Sequence, residues 1–270
     1  MVAFRVVFAI LAFILGSSFG SFAALVAYRV PKGISIIKPD SHCTSCQNPI
    51  KPIDNIPVLS WIILKGKCRY CDAKIGVFPF VIEICGGLGF MFAYLEYVET
   101  LKTFPMLISL MALIFLFLII AAIDYETHEI YNITLVLFAL IATFISTYRI
   151  LVFNASFLDH ILGLALGFGF FGFIKLISKI ITKREALGSG DVYLVGIAGL
   201  MLGSFPLLIA ILISTLLGSV VELIKIKIHK SKRDVEIAFG PYLLLGIGIM
   251  AIYGDAFMNF YWEVLLNALI

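Results

Sequence analysis

Charged side chains are scarce in this sequence. Only 14% of its 270 residues are Asp, Glu, Lys or Arg, whereas 61% are hydrophobic. An ordinary soluble domain carries roughly 25% charged residues, and a chain of this size with so few could not cover its surface with polar groups. The composition therefore excludes a soluble globule, a nucleic-acid-binding protein and a disordered chain, and it indicates an integral membrane protein in contact with lipid.

Long apolar runs supply the membrane-spanning segments. A spanning helix needs about 20 mostly apolar residues, and the sequence predicts about eight of them, which makes the fold class an all-α polytopic membrane protein. We divide the chain into a first transmembrane helix at 1–26, a loop at 27–76 and a transmembrane core at 77–270. The predicted spans are approximately Phe4–Val26, Val77–Val98, Phe104–Ile123, Ile130–Phe153, Phe157–Ile181, Val192–Leu202 (which is short), Leu207–Ile226 and Pro241–Phe257.

Basic residues are concentrated on one side of the predicted bundle. With eight spans, all 20 Lys and Arg residues except Arg5, Lys102 and Arg149 fall in or beside one set of loops, at 27–76, 124–129, 182–191 and 227–240. Positive charge accumulates on the cytoplasmic side of membrane proteins. These loops are therefore predicted to face the cytosol, and both termini are predicted to lie on the opposite side.

The loop at 27–76 contains two Cys-x-x-Cys pairs. Cys43 and Cys46 are separated by 21 residues from Cys68 and Cys71. This pattern is typical of four thiolates that bind one zinc ion tetrahedrally. Two disulfides or a redox-active pair are the alternatives, although a reducing cytosol disfavours structural disulfides. Four protein ligands leave no position for water, so zinc is predicted to brace a loop that has few apolar residues.

Two aspartates lie at the ends of predicted spans, where ionisable groups are costly and therefore candidates for function. Asp124 ends the third span, and Asp191 opens the sixth within Gly188-Ser189-Gly190-Asp191, so both fall at predicted cytosolic ends. A facing pair of carboxylates holds one proton, which suits acid–base catalysis. The flanking glycines permit close approach of backbone and substrate. The alternatives are that Asp191 caps its helix and that Asp124 is solvated.

Other polar residues near the spans have less specific interpretations. Glu83 lies within the second predicted span, where a structural and a functional role are both open. Cys85 in the same span is interpreted as a small packing residue. Glu126 belongs to a solvated turn beside Asp124, and Glu222 extends toward the neighbouring basic loop.

These motifs together resemble the type IV prepilin peptidases, the bifunctional leader peptidase/N-methyltransferases among the GxGD membrane aspartic proteases. The resemblance covers nearly the whole chain. It is carried by Gly20-Ser21-Phe22, Tyr28-Arg29-Val30-Pro31, the two cysteine pairs, Asp54-Asn55-Ile56-Pro57, Pro79 with Glu83, Ile123-Asp124, the Gly188–Asp191 motif and Phe239-Gly240-Pro241.

The resemblance implies a membrane-embedded endopeptidase whose catalytic pair is Asp124 and Asp191, with Gly188 and Gly190 in the active-site loop. Its substrates would be prepilins or pseudopilins, each with a short basic leader and a long apolar helix, cleaved after a glycine on the cytosolic side of the bacterial inner membrane. The new N-terminus would then be methylated from S-adenosylmethionine, in a site placed in the zinc-braced loop with Glu83. The expected surroundings are membrane lipid and no nucleic acid, and the oligomeric state is open.

Three positions depart from the family pattern. Ala24 stands for a frequent asparagine, Tyr193 stands for a lysine two residues after the GxGD aspartate, and Tyr131 stands for the proline of an Ile-Pro-Asp or Ile-Pro-Asn motif. No carboxylate is lost, so the prediction of proteolysis is unaffected, whereas methyl transfer stays open. The alternative functions are a peptidase without methyltransferase activity and a non-enzymatic zinc-module adaptor of a pilus or secretion machine.

Overall fold

A computed structural model of the chain describes residues 2–98, 102–182, 187–229 and 239–269. This part of the chain is almost entirely helical, which confirms the predicted all-α membrane architecture. Five basic residues of the predicted cytosolic loops, Lys183, Arg184, Lys230, Lys232 and Arg233, lie outside the described residues. The described helices are α1 Val2–Arg29, α2 Leu59–Ile63, α3 Val77–Tyr97, α4 Phe104–Thr127, α5 Asn132–Phe153, α6 Phe157–Thr182, α7 Ser189–Leu202, α8 Ser204–His229 and α9 Gly240–Leu269.

Seven helices of the described part are long and apolar enough to cross a membrane, namely all except α2 and α7. The sixth predicted span corresponds to α7, which has 14 residues. At 1.5 Å per residue it is about 21 Å long, whereas the hydrocarbon core is about 30 Å thick. The prediction of about eight helices with a short sixth one is therefore confirmed, with seven helices of spanning length and one short helix among the described residues. Half of the residues of α7 are buried, so it belongs to the interior of the bundle.

Helix α7 is held against α6 by direct contact between their backbones. A Cβ atom on Gly163 of α6 would lie 2.3 Å from the carbonyl oxygen of Gly199 of α7. A Cβ atom on Gly167 would lie 2.5 Å from the carbonyl oxygen of Val195. Small residues commonly allow such close approach between membrane helices. Because Gly167 follows Gly163 while Val195 precedes Gly199, the two helices run antiparallel.

Polar contacts fix the far end of α7. The carboxylate of Asp159, near the start of α6, accepts hydrogen bonds from the hydroxyl and the N–H of Ser204, where α8 begins. The ring Nδ1 of His160 lies 2.8 Å from the carbonyl oxygen of Leu200. These contacts place the junction of α7 and α8 level with the beginning of α6.

Several helix ends meet on one face of the bundle, which we call the loop face. Phe78 at the start of α3 stacks on Tyr125 near the end of α4, with ring centroids 4.1 Å apart. Gly190 at the start of α7 lies against Ile130, because a Cβ at this glycine would be 2.9 Å from the Cβ of Ile130. Gly240, the first residue of α9, also lies against the end of α4. The loop face therefore consists of the starts of α3, α7 and α9 and the end of α4.

Candidate active site

Asp124 lies at the loop face, in the last turn of α4. The residue is buried, with only 5% of its surface exposed. A Cβ on Gly240 would lie 2.6 Å from its Oδ2 atom, so only glycine fits beside this carboxylate. Within the described residues, this oxygen has no hydrogen-bond partner. Leaving a buried polar atom unpaired is costly, so such an atom calls for an explanation, of which a catalytic role is one. The solvated interpretation of Asp124 is therefore wrong.

Asp191 lies in the first turn of α7 and is half-buried. The cap of this helix is Gly188, so Asp191 occupies the third helical position rather than the cap itself. A Cβ at Gly188 would lie 3.3 Å from the Oδ2 atom of Asp191. The loop at 188–190 therefore passes close to the carboxylate without covering it with side chains larger than that of Ser189.

The two carboxylates are near enough to interact electrostatically. Their helices are held around shared neighbours, because α4 and α7 both pack against α5 and α9. The arrangement brings two acidic groups together in a place that is partly shielded from water. It offers one buried and one more accessible carboxylate at the loop face.

Sequence reasoning missed one charged residue of this site, Lys175. It lies half-buried on α6, and its positive charge acts on Asp191. The antiparallel contact of α6 and α7 brings the end of α6 past the start of α7, which places this lysine near the aspartate. The pattern that could have located it is the pair Gly163 and Gly167, since these glycines set the register of the two helices.

The four loop cysteines form a single cluster. Their sulfur atoms all lie within 4.8 Å of one another, and the sulfurs of Cys43 and Cys71 are 3.8 Å apart. A tetrahedral zinc with Zn–S bonds of about 2.3 Å requires sulfur–sulfur distances of about 3.8 Å, so the cluster fits zinc. All five cysteines of the chain are free thiols, which contradicts the alternative of two disulfides. The backbone N–H groups of Cys46 and Ser45 lower the pKa of the Cys43 thiol to about 6, which favours the thiolate that binds metal.

The two cysteine pairs adopt the same turn. In the first, the N–H of Cys43 donates to the carbonyl of Asn48 and the N–H of Gln47 donates back to the carbonyl of Cys43, both at 2.9 Å. The second turn repeats this pattern from Cys68. The fourth residue after the first cysteine is left-handed in both turns, with φ of 60° at Gln47 and 55° at Asp72. The repeated geometry presents both pairs to one centre.

Glu83 connects α3 to the cysteine loop. Its Oε2 atom accepts a hydrogen bond of 2.7 Å from the N–H of Val58, and the hydroxyl of Ser21 on α1 also interacts with this carboxylate. Val58 has φ of 65°, which is an outlier for a β-branched residue. Strained backbone of this kind clusters at functional sites. Glu83 therefore holds a strained part of the loop at the junction of α1 and α3.

Two further contacts dock the loop. Arg69, beside the second cysteine pair, forms two hydrogen bonds with Asp54, of 2.8 and 2.5 Å. The guanidinium of Arg69 holds the pKa of the Asp54 carboxyl below its usual value. Trp61 of α2 stacks on Phe80 of α3 with ring centroids 4.3 Å apart. The Arg69–Asp54 pair thus connects the second cysteine turn to the preceding part of the loop, and the Trp61–Phe80 stack attaches the loop to the transmembrane bundle.

Comparison with protein families matches the chain to two of them. Residues 14–97 match the Bacterial Peptidase A24 N-terminal domain, and residues 111–223 match the Type IV leader peptidase family. The first match contains the cysteine loop and Glu83, and the second contains Asp124 and Asp191.

Curated relatives extend the similarity over most of the chain. The prepilin leader peptidase/N-methyltransferase of Myxococcus xanthus is 32% identical over 82% of this chain and 64% of its own length. The protein of the same name from Bacillus subtilis is 28% identical over 94% of this chain and 98% of its own length. The type 4 prepilin-like proteins leader peptide-processing enzyme of Escherichia coli is 30% identical over 92% of this chain and 94% of its own length. No solved structure shows a significant match.

Proposed function

The chain belongs to the type IV leader peptidase family, and from this we propose that it removes the leader of prepilins or pseudopilins with Asp124 and Asp191 as its catalytic pair. The names of its relatives combine leader peptidase and N-methyltransferase, so prepilin processing and methylation form the activity of the enzyme. The observation that carries the assignment of the pair is the electrostatic interaction of two acidic groups at the loop face.

The chemistry follows from the position of the two carboxylates. Two negative charges close together in a poorly hydrated place repel, so the pair holds one proton between its members. The ionised carboxylate takes a proton from water, whose oxygen attacks the scissile carbonyl carbon, while the protonated partner donates to the carbonyl oxygen. As the C–N bond breaks, the proton taken from water passes to the leaving nitrogen. Because Gly188 has no side chain, the space beside the Asp191 carboxylate stays clear for a substrate backbone, whereas Gly240 is packed directly against Asp124.

We assign a structural role to the cysteine cluster and a separate role to Glu83. Zinc held by the four thiolates would close the loop and leave no coordination position for water. S-adenosylmethionine would supply the methyl group for the second reaction. Glu83 serves that step as a positioning residue, because its carboxylate holds Val58 and with it the loop segment that packs on α3.

The loop face is assigned to the cytosol of a bacterial inner membrane. The cysteine loop with its lysines and arginines joins this face, whereas Arg5 and Arg149 lie at the opposite end of the bundle. Arg5 donates to the carbonyl of Leu95 at the end of α3, and Arg149 pairs with Asp255 of α9. This distribution of positive charge supports the orientation, and it brings the aspartates to the side on which a basic leader would lie.

A processing assay tests the proposed function. The purified chain, reconstituted in lipid vesicles with a membrane-embedded prepilin and methyl-labelled S-adenosylmethionine, should shorten the substrate on a gel and label the product. Leader loss without label would establish a peptidase that lacks methyl transfer. Neither reaction, on a substrate that a related enzyme processes in parallel, would favour a non-enzymatic adaptor.

Replacing Glu83 with alanine should separate the two reactions. Loss of a hydrogen bond to a charged group costs about 1.5–3 kcal/mol, so methylation should fall about tenfold or more while the initial rate of leader removal changes by less than about twofold. Glu83→Gln keeps an acceptor oxygen for Val58 and should restore much of the methylation. Glu96→Ala, an exposed position near the other end of α3, is the matched control. A parallel fall of both reactions would contradict a specific role in methyl transfer.

A further inference from the structure

An apolar groove lies between α6 and α8 and opens toward the surrounding lipid. Its cavity volume is about 450 Å³. Its walls include Phe170 and Ile174 of α6 and Leu208, Leu212 and Thr215 of α8. Both helices are membrane spans, so this α6–α8 groove lies within the hydrocarbon region.

The chemistry of the walls selects an apolar occupant. Among the described residues that line the groove, Thr215 alone has a polar side chain. Its hydroxyl already donates to the carbonyl oxygens of Ile211 and Leu212 in its own helix, at 2.9 and 3.0 Å. A polar ligand would therefore lose its hydrogen bonds to water without gaining new ones, whereas an apolar segment has no such hydrogen bonds to lose.

The lining of the groove reaches residues next to the candidate active site. Leu187 and Phe239 also line it, and each directly precedes a glycine of the site. Leu187 leads into Gly188, which lies beside Asp191, and Phe239 leads into Gly240, which lies beside Asp124. One end of the groove therefore lies one residue along the chain from the glycines that flank the two carboxylates.

The direction of the groove also fits a transmembrane substrate. Helix α8 begins at the face opposite the loop face, where Asp159 binds Ser204. Thr215 therefore lies nearer the loop face than Leu208, and the wall between them extends about 10 Å along the helix axis. This length corresponds to about two turns of a helix lying in the groove.

We propose that the apolar helix of a prepilin docks in the α6–α8 groove, so that the peptide bond preceding this helix reaches Asp124 and Asp191. The inference rests on the proposed function and adds to it the surface that recognises the substrate. The position of Leu187 and Phe239 beside the glycines of the site favours a polypeptide over a lipid chain, because a polypeptide must pass from the groove to the reacting groups. Binding of a helix in an apolar groove is a common mode of recognition.

Filling the groove should weaken binding of the membrane-embedded substrate. Leu212→Trp places a large ring in it, and Leu216→Trp is the matched control one turn further along α8. Both leucines face lipid, with 52% and 58% of their surfaces exposed, and Leu216 is not among the residues that line the groove. We expect Leu212→Trp to raise KM for the full-length prepilin about tenfold, a cost of about 1.4 kcal/mol. Cleavage of a soluble peptide holding only the leader and first mature residues should change by less than about twofold.

Cross-linking provides a second measurement that does not depend on activity. A photo-reactive benzoylphenylalanine at position 212 should capture the prepilin helix, whereas the same group at position 216 should not. The groove assignment would be overturned if position 212 captured only lipid or a second enzyme chain, or if the two tryptophan variants had equal kinetics. In that case, cleavage by the wild-type enzyme would still support the proposed function. Absence of cleavage by the wild-type enzyme would instead remove the proposed function.

Discussion

Asparagine in place of Asp124 or of Asp191 should abolish leader removal, with each single substitution lowering the rate about 10²- to 10⁴-fold or more. Asparagine keeps the size of the side chain but can neither accept a proton from water nor donate one to the substrate as a carboxyl group does. Initial rates of prepilin shortening on gels measure the effect. The double substitution should be little worse than either single one, because residues that act as a unit are strongly non-additive.

The matched control for this prediction is Glu126→Gln. Glu126 is exposed and lies two residues beyond Asp124 on the same helix, so its charge can be removed without touching the pair. Processing by this variant should stay within about twofold of the wild-type rate. If either aspartate variant processed prepilin at the wild-type rate, the catalytic assignment would be wrong.

Loss of one zinc ligand is expected to have an equally large effect on the cysteine loop. Metal analysis of the purified wild-type chain should give about one zinc per molecule, and Cys71→Ser should reduce this to near zero. Structural zinc sites contribute about 10–16 kcal/mol in isolated modules, whereas the other contacts described for the loop are individually weaker and comprise hydrogen bonds, one ion pair, two cation–π contacts and an aromatic stack. The variant loop should therefore become sensitive to protease under conditions in which the wild-type loop is protected.

Cys85→Ala is the control for the metal experiment. Cys85 lies within α3 and outside the sulfur cluster, so the variant should retain its zinc and the protease resistance of its loop. Recovery of wild-type protein without zinc, after purification free of chelators, would contradict the prediction. So would a Cys71→Ser variant that keeps a full complement of metal.

The positions of charges and the spacing of residues are sufficient to predict those features that depend on a short stretch of sequence. The spacing of the cysteines predicted the sulfur cluster, which the structure confirms, while the identity of the bound metal stays a prediction. Asp124 was identified because a carboxylate at the end of an apolar run is conspicuous. Helix α4 nevertheless continues beyond the predicted end at Ile123, to Thr127. Loss of hydrophobicity marks the membrane surface rather than the end of a helix, and the left-handed backbone of His128 ends this one.

The features that sequence reasoning missed depend on how helices pack. Lys175 lies on a different helix from Asp191, and only the register of α6 against α7 brings their charges together. That register depends on Gly163 meeting Gly199; the spacing of the glycines in α6 indicates a close-packed face, but it does not say which helix packs against that face. The groove between α6 and α8 is likewise a property of their separation, because each of its walls appears in the sequence as one more apolar stretch. The division of the chain into a first helix, a loop and a transmembrane core, with boundaries after residues 26 and 76, stays a prediction.

The shortness of α7 determines the level at which Asp191 stands in the bundle. The contacts of Asp159 and His160 hold the far end of α7 level with the start of α6, so the whole shortfall of about 9 Å relative to a full span falls on the other side. Helix α6, with 26 residues, continues past the start of α7 on that side. The first turn of α7 therefore stands alongside the flank of α6 rather than level with its tip, and this offset is what lets the charge of Lys175 reach Asp191.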